Sequence, residues 1–351
     1  MCQSPLELDY LGPFPILRDQ FMGLWALDVP SPLHDPANVV SLGEGNTPCL
    51  PLENIGNALG LASIFGKLEF QSPTGSFKDR GTTVLISALK ELGITQVVED
   101  SSGNAGASLA AYAAKAGIVS HIFVPASAPS AKIQQIMVYG AQIHLVDGTR
   151  DAATKAGIAY AKNHGLCIAS HNMSPYYIEG TKTIAYEIVQ QMKGSLPKHI
   201  VMPVGNGSLL IGAWKGFREL QSRGVISTIP QLHAIQSEAV KPIVAAFAGE
   251  TWAPSEQAKT IAGGITVGQP PRLNQCLNAI SHSKGQAVAV TDDRIRTWQL
   301  ALAQREGIYA EPTSAAAFAG VEMLIGQGHI GSRDTVLVPI TGMGLKDPVT
   351  A

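Results

Sequence analysis

The sequence predicts an α/β protein built on two doubly wound, mostly parallel sheets, and three observations carry that prediction. Short β-branched runs alternate with Ala-rich stretches of helical period from about residue 60 onward. The alternation comes in two successive series, at a spacing that places parallel strands beneath covering helices. A chain of 351 residues with 45% apolar residues and 36 glycines has enough material for two cores.

The elements follow in order. Residues 1–42 are Pro-rich and irregular and predict an arm that packs on the body. Thr95–Glu99 (TQVVE), His121–Val124 (HIFV) and Gln142–Val146 (QIHLV) read as strands. Helices are expected at Ala105–Ala116, Ala131–Tyr139 and Asp151–Asn163, where small and apolar residues recur at helical spacing. The second series predicts a helix over Glu179–Met192, a strand at His199–Pro203, a helix over Leu209–Leu220 and a strand at Gln231–Ile235. Helices at Asp292–Glu306 and Ser314–Leu324 and a strand at Thr335–Pro339 close the pattern. The Pro- and Gly-rich stretches 125–130 and 268–272 read as loops, not linkers. Residues 72–171 are expected to form a small α/β domain, and 1–71 with 172–351 a large one, with a cleft between them.

Composition excludes several classes. Charged residues make up only 15% of the chain and the net charge is −2, which argues against a nucleic-acid partner. High apolar content at low net charge argues against disorder. Cys2, Cys49, Cys167 and Cys276 form no Cys-x-x-Cys, so neither a disulfide framework nor a zinc site is expected, and a reducing, cytoplasmic setting is. No stretch reaches the length of a membrane helix, and no basic-then-apolar leader opens the chain. Both ends are short, so no appended regulatory domain is expected. The nine histidines show no metal-binding spacing, and no Gly-x-Ser-x-Gly elbow occurs.

The segment Ser72–Gly81 (SPTGSFKDRG) is the most informative. It reads as a tight turn running into a helix, with Lys78 in the first turn. A helix N-terminus carries partial positive charge, so a lysine there is disfavoured as an ammonium ion, and Asp79 offsets part of that cost. An amine kept neutral is a nucleophile, which makes Lys78 a Schiff-base candidate.

Gly205-Asn206-Gly207-Ser208 follows a strand and precedes a helix, so its N–H groups can cradle a phosphate. By itself the same run also reads as a plain strand-to-helix turn. It matches neither the dinucleotide fingerprint nor a phosphate-binding loop of nucleotide hydrolases. Ser101-Ser102-Gly103-Asn104 stands at another helix start, suited to a carboxylate or to ordinary capping. Thr341 leaves a buried strand, where its hydroxyl can meet a ring nitrogen or cap a turn. Glu311-Pro312-Thr313-Ser314 reads as a structural helix start. An amine, a phosphate cradle, a carboxylate grip and a ring-nitrogen partner together suit pyridoxal 5′-phosphate.

The chain resembles the threonine synthase family of fold-type II pyridoxal-phosphate enzymes, whose fold is tryptophan synthase β-like, with three-layer domains. The matching motifs are Leu42–Pro48 (LGEGNTP), Pro73–Gly81, Ser101–Asn104, Pro203–Asn206 (PVGN), Glu311-Pro312 and Thr341–Pro348 (TGMGLKDP), spread over roughly residues 40–348. The resemblance implies that Lys78 forms the Schiff base and acts as general base. It implies that Asn104 meets the cofactor's phenolic oxygen, that Gly205, Asn206, Gly207 and Ser208 hold its phosphate, and that Thr341 faces its ring nitrogen without protonating it. Ser101, Ser102 and Asn104 would take the carboxylate of an amino-acid substrate, with Lys67, Arg80 and Lys132 as candidates for a substrate phosphate.

The implied reaction converts O-phosphohomoserine and water to threonine and phosphate, in a homodimer. The family's phosphate-binding Asn-Ser-x-Asn-Pro-x-Arg-x-x-Gly stretch reads His171–Gly180 (HNMSPYYIEG) here, with Asn172 and Tyr177 in place of its serine and arginine. Ala262–Ile265 (AGGI) leans toward the dehydratases. The alternative expectation is therefore a related enzyme carrying out β-elimination or β-replacement on serine, threonine or phosphoserine-like amino acids.

Overall fold

A computed structural model describes residues 5–10, 22–128, 130–192, 195–253, 255 and 258–347, so Cys2 and Pro348 lie outside it. Its strands are β1 (Cys49–Pro51), β2 (Ser63–Lys67), β3 (Gln96–Glu99), β4 (Val119–Pro125), β5 (Gln142–Val146), β6 (Cys167–Ile168), β7 (His199–Pro203), β8 (Gln231–Ser237), β9 (Ala287–Val290) and β10 (Thr335–Pro339). They form two sheets, in the orders β5-β4-β3-β6 and β1-β2-β10-β7-β8-β9. Every neighbouring pair is parallel except β1–β2. The expected α/β class with two mostly parallel sheets is borne out.

Strand composition follows position in the sheet. All five residues of β7 (HIVMP) are buried, as befits a central parallel strand covered on both faces. Antiparallel β1 lies at a sheet edge and ends in Pro51, which has no N–H to give a ladder.

The chain divides into two compact units: the described residues of 1–46 with 72–183, and 47–71 with 184–347. This differs from the sequence-drawn boundary, which grouped 1–46 with the larger unit and ended the smaller one at 171. The reason is side-chain anchoring. Trp25 Nε1 donates to Glu44 at 3.0 Å and to Thr83 at 2.9 Å, and Leu24, Trp25 and Leu33 share a cluster with Val84 and Ala88. Each burial of this kind contributes about 1.5–3 kcal/mol.

In the first unit, the helix Asn104–Ala116 is Ala-rich and largely buried, so it packs close to its neighbours. In the second, Pro312–Gly326 plays that part, with Ala315, Ala316, Ala317, Phe318 and Val321 in the core. The single helix expected over Glu179–Met192 is two, Pro175–Thr181 and Thr183–Gln191. At the break the Thr183 hydroxyl donates to the Gly180 carbonyl at 2.7 Å, and the buried Lys182 ammonium pairs with Glu179 at 2.5 Å. Within each sheet the parallel strands bring their carboxyl ends to one side. Glu99, Ser101 and His171 stand there in the first sheet; Lys67, Gly205 and Thr341 stand there in the second.

Candidate active site

The turn before Lys78 is built by Asp79. Its carboxylate accepts from the Thr74 N–H at 2.7 Å, from the Thr74 hydroxyl at 2.5 Å and from Ser108 at 2.6 Å. Gly75 sits at φ +81°, a conformation that favours glycine. Burial raises the Asp79 carboxyl to about 6, against the lowering effect of the Ser108 and Thr74 hydrogen bonds. Asp79 therefore fixes the turn as well as offsetting charge.

Lys78 is the first residue of the helix Lys78–Glu91, as expected, and Phe77 before it supplies no capping side chain. The Lys78 amine is half-buried, 4.2 Å from the centroid of the Phe77 ring. The first turn of this helix is held from a second direction. Tyr177 is buried, and its hydroxyl donates to the Lys78 carbonyl at 3.2 Å. A methyl on Gly81 would meet the Tyr177 ring at 2.4 Å, and one on Gly180 would meet the Arg80 carbonyl at 1.9 Å. Glycine at both positions lets the two helices touch backbone to backbone.

Ser101–Asn104 leaves β3 for the helix Asn104–Ala116, which begins one residue earlier than predicted. The Ser101 hydroxyl accepts from the Gly103 N–H at 3.3 Å, and Gly106 lies so close that a methyl there would meet the Ser101 carbonyl at 1.9 Å. Ser101 is buried, whereas Ser102 and Asn104 are partly exposed. Glu99, at the end of the same strand, accepts from His171 Nδ1 at 3.0 Å. Sequence reasoning missed this pair, because it forms only once β6 lies beside β3.

In the second unit, Gly205–Ser208 leaves β7 for the helix Ser208–Ser222. The N–H groups of Gly205, Asn206 and Gly207 make no hydrogen bond among the described residues, and Gly207 offers no capping side chain. Gly207 has φ +87°, and a methyl on it would lie 2.1 Å from Cys276 Sγ. A methyl on Gly205 would lie 3.0 Å from the Gly264 carbonyl, so the Ala262–Ile265 segment backs the loop. Consecutive open N–H groups at the positive end of a helix suit a phosphate dianion.

Thr341 follows β10 and is buried. Its hydroxyl lies 2.9 Å from Ser314 Oγ and donates to Glu311 Oε1 at 3.3 Å. The Gly342 N–H donates to Ser314 Oγ at 3.1 Å. Glu311 and Ser314, read from sequence as a structural helix start, thus surround the hydroxyl assigned to the ring nitrogen.

Lys67 ends β2 and is fully buried. Its ammonium donates to the Thr47 carbonyl and hydroxyl, both at 2.6 Å, and to Glu187 at 2.7 Å. Three donors engaged this way leave none for a substrate phosphate. Arg80 is buried as well and donates to Thr183 at 3.1 Å, while the Lys132 side chain lies outside the described residues. Asn172 lies on the turn before the helix Pro175–Thr181, and Tyr177, on that helix, is turned to the Lys78 carbonyl.

Residues 40–342 match the family model described as pyridoxal-phosphate dependent enzyme. The fold agrees. A threonine deaminase isoform from Solanum lycopersicum superposes with a TM-score of 0.76 at 20% identity, covering 98% of this chain and 93% of its own. Maize serine racemase gives 0.74 at 22% identity, over 85% of this chain and 88% of its own. Among curated proteins, a threonine synthase of Methanocaldococcus jannaschii is 38% identical over 95% of this chain and 83% of its own length. One from Bacillus sp. is 37% identical over 90% and 88%. The chain belongs to the pyridoxal-phosphate-dependent enzymes and, within them, to the threonine synthase family.

The residues present fit the cofactor. The Ser76 hydroxyl, two residues before Lys78, is buried without a hydrogen-bond partner among the described residues, a polar atom awaiting a ligand group. The glycine loop has open N–H groups where side chains cannot fit. Its helix begins at Ser208, a hydroxyl residue, and Thr341 supplies a neutral hydroxyl in a buried place.

Proposed function

We propose that this chain converts O-phosphohomoserine and water to threonine and inorganic phosphate. The observation that carries the reading is the match to threonine synthases over nearly the whole chain, joined to a Lys78 turn of the required build. When bound, pyridoxal phosphate supplies an electron sink for the bonds broken at the substrate's Cα. Gly205, Asn206, Gly207 and Ser208 would hold its phosphate, Asn104 its phenolic oxygen, and Thr341 its ring nitrogen.

Lys78 would hold the cofactor at its carbonyl carbon and, when free, would move protons at Cα and Cβ of the substrate. Its place at a helix N-terminus lowers the cost of releasing a proton there. Ser101, Ser102 and Asn104 grip the substrate carboxylate, and the N-terminus of Asn104–Ala116 favours that negative charge. The protein works as a cytosolic homodimer; no helix among the described residues is long and apolar enough to cross a membrane.

A second reading is β-elimination or β-replacement on serine- or threonine-like substrates. It is favoured by Tyr177 and Lys67, whose polar groups are engaged internally and offer no charge to a substrate phosphate. Purified protein given O-phosphohomoserine should release phosphate and threonine in equal amounts. Keto acid from serine or threonine, without threonine from O-phosphohomoserine, establishes the second reading instead.

A further inference from the structure

Glu99 closes β3 two residues before Ser101, and His171 follows β6, the strand paired with β3. The Glu99 carboxylate is fixed from several sides. It faces His171 Nδ1 at 3.0 Å and accepts the Asp100 N–H at 3.1 Å and the His171 N–H at 3.4 Å. A carboxylate only accepts, so the proton of a neutral His171 resides on Nδ1 and the lone pair on Nε2. Nε2 makes no hydrogen bond to a described residue, yet it is not among the fully buried, unpartnered atoms. The His171 side chain keeps about 5% of its surface exposed.

Several charged and titratable groups face this imidazole: Glu99 and Asp100 from β3 and its exit, Lys78 from its helix, Arg150 from the helix Arg150–His164, and Tyr177 from Pro175–Thr181. Burial, and next the neighbouring Lys78, lower its affinity for a second proton. The ring meets Tyr177 edge-on, with centroids 6.1 Å apart, and Tyr177 in turn holds the Lys78 carbonyl. Asp100 is held by the Thr154 hydroxyl. The pair is thus Glu99–His171, an oriented imidazole linked through Tyr177 to the backbone of Lys78.

We propose that His171, aimed by Glu99, is a second base of the site and takes a proton from the α-ammonium of the incoming amino acid. The N–H bond breaks, its electron pair stays on the substrate nitrogen as a free amine, and the proton passes to Nε2. The imidazolium so formed is paired with Glu99, and the amine is then a nucleophile. Lys78 is left to work at carbon. This assignment rests on the functional reading above for its substrate, but not for its geometry.

Nitrogen-15 NMR of histidine-labelled protein, with His171→Gln to assign the signal, reads the tautomer directly. At neutral pH the expected state is Nδ1–H with an unprotonated Nε2, and Glu99→Gln should mix the two tautomers. The measurement needs no cofactor, so it decides the geometry even if the functional reading fails. In the loaded enzyme, His171→Gln should leave uptake of pyridoxal phosphate unchanged and lower kcat/KM by about 100-fold at neutral pH. It should also abolish the acidic limb of the pH–rate profile, and free imidazole should restore part of the rate. A dominant Nε2–H tautomer, or a variant with the parent's pH profile, overturns the proposal.

Discussion

The Tyr177 hydroxyl donates to the Lys78 carbonyl oxygen at 3.2 Å, while its ring covers the Cα of Gly81 one turn along the same helix. One side chain thus sets both the axial and the lateral position of the helix that carries the reactive amine. Tyr177→Phe keeps the ring and loses the hydrogen bond, which should cost about 1 kcal/mol in urea unfolding. Gly81→Ala forces a methyl into the ring and should cost about 1–3 kcal/mol. Equal, negligible losses in both variants contradict this packing.

Gly207→Ala combines a positive φ with a collision at Cys276 Sγ, so the 205–208 loop must shift. Affinity for pyridoxal phosphate, followed by absorbance on titration, should fall by about tenfold or more, equal to about 1.4 kcal/mol. Cys276→Ala added to it should recover only part, because the backbone strain remains. Unchanged affinity would remove the loop from the cofactor site.

Glu187→Gln should be costly. It takes the Glu187 carboxylate from the buried Lys67 ammonium, a loss of about 3–5 kcal/mol. Replacing both partners together, Lys67→Met with Glu187→Leu, should cost less than the single change. If Lys67 instead served a substrate phosphate, Lys67→Met would raise KM while leaving the unfolding midpoint in place.

His233 predicts how stability depends on pH. Its Nδ1 accepts the Gln286 N–H at 3.0 Å, so its proton is on Nε2, directed at His199 Nδ1 at 3.0 Å; His199 Nε2 then donates to Asp334 at 3.1 Å. Burial first, then the neighbouring His199 and His329, push His233 down from 6.5 to about 3. As pH falls below 6.5 the unfolded chain takes up this proton and the folded chain does not until about pH 3. Stability therefore declines across that window, by about 1.4 kcal/mol per pH unit from this one group. His233→Gln should flatten the curve by that slope in unfolding titrations between about pH 4 and 6; parallel curves would contradict the neutral pair.

Sequence alone placed the strands with dense β-branched or apolar runs, such as Gln142–Val146, His199–Pro203 and Thr335–Pro339, at their observed bounds. It also placed the Lys78 helix start and the glycine loop, because turns that demand glycine and helix N-termini leave local signatures. What it did not show depends on distant partners. The break at Lys182 contains neither proline nor glycine and comes from side chains turned inward. The two-residue strand β6 is too short for a period, so the pairing of Glu99 with His171, 72 residues away, was hidden. Lys67 resembled a free cation because Glu187 lies 120 residues on. Ser314 passed as a cap until its 2.9 Å contact with Thr341 was seen.

The central claim is that the Lys78 amine is the covalent anchor for pyridoxal phosphate. Borohydride reduction of the loaded protein, followed by peptide mass spectrometry, should place one phosphopyridoxyl group on Lys78, and Lys78→Ala should show neither the label nor visible absorbance. A label on any other lysine, or a coloured and active Lys78→Ala protein, would contradict the account.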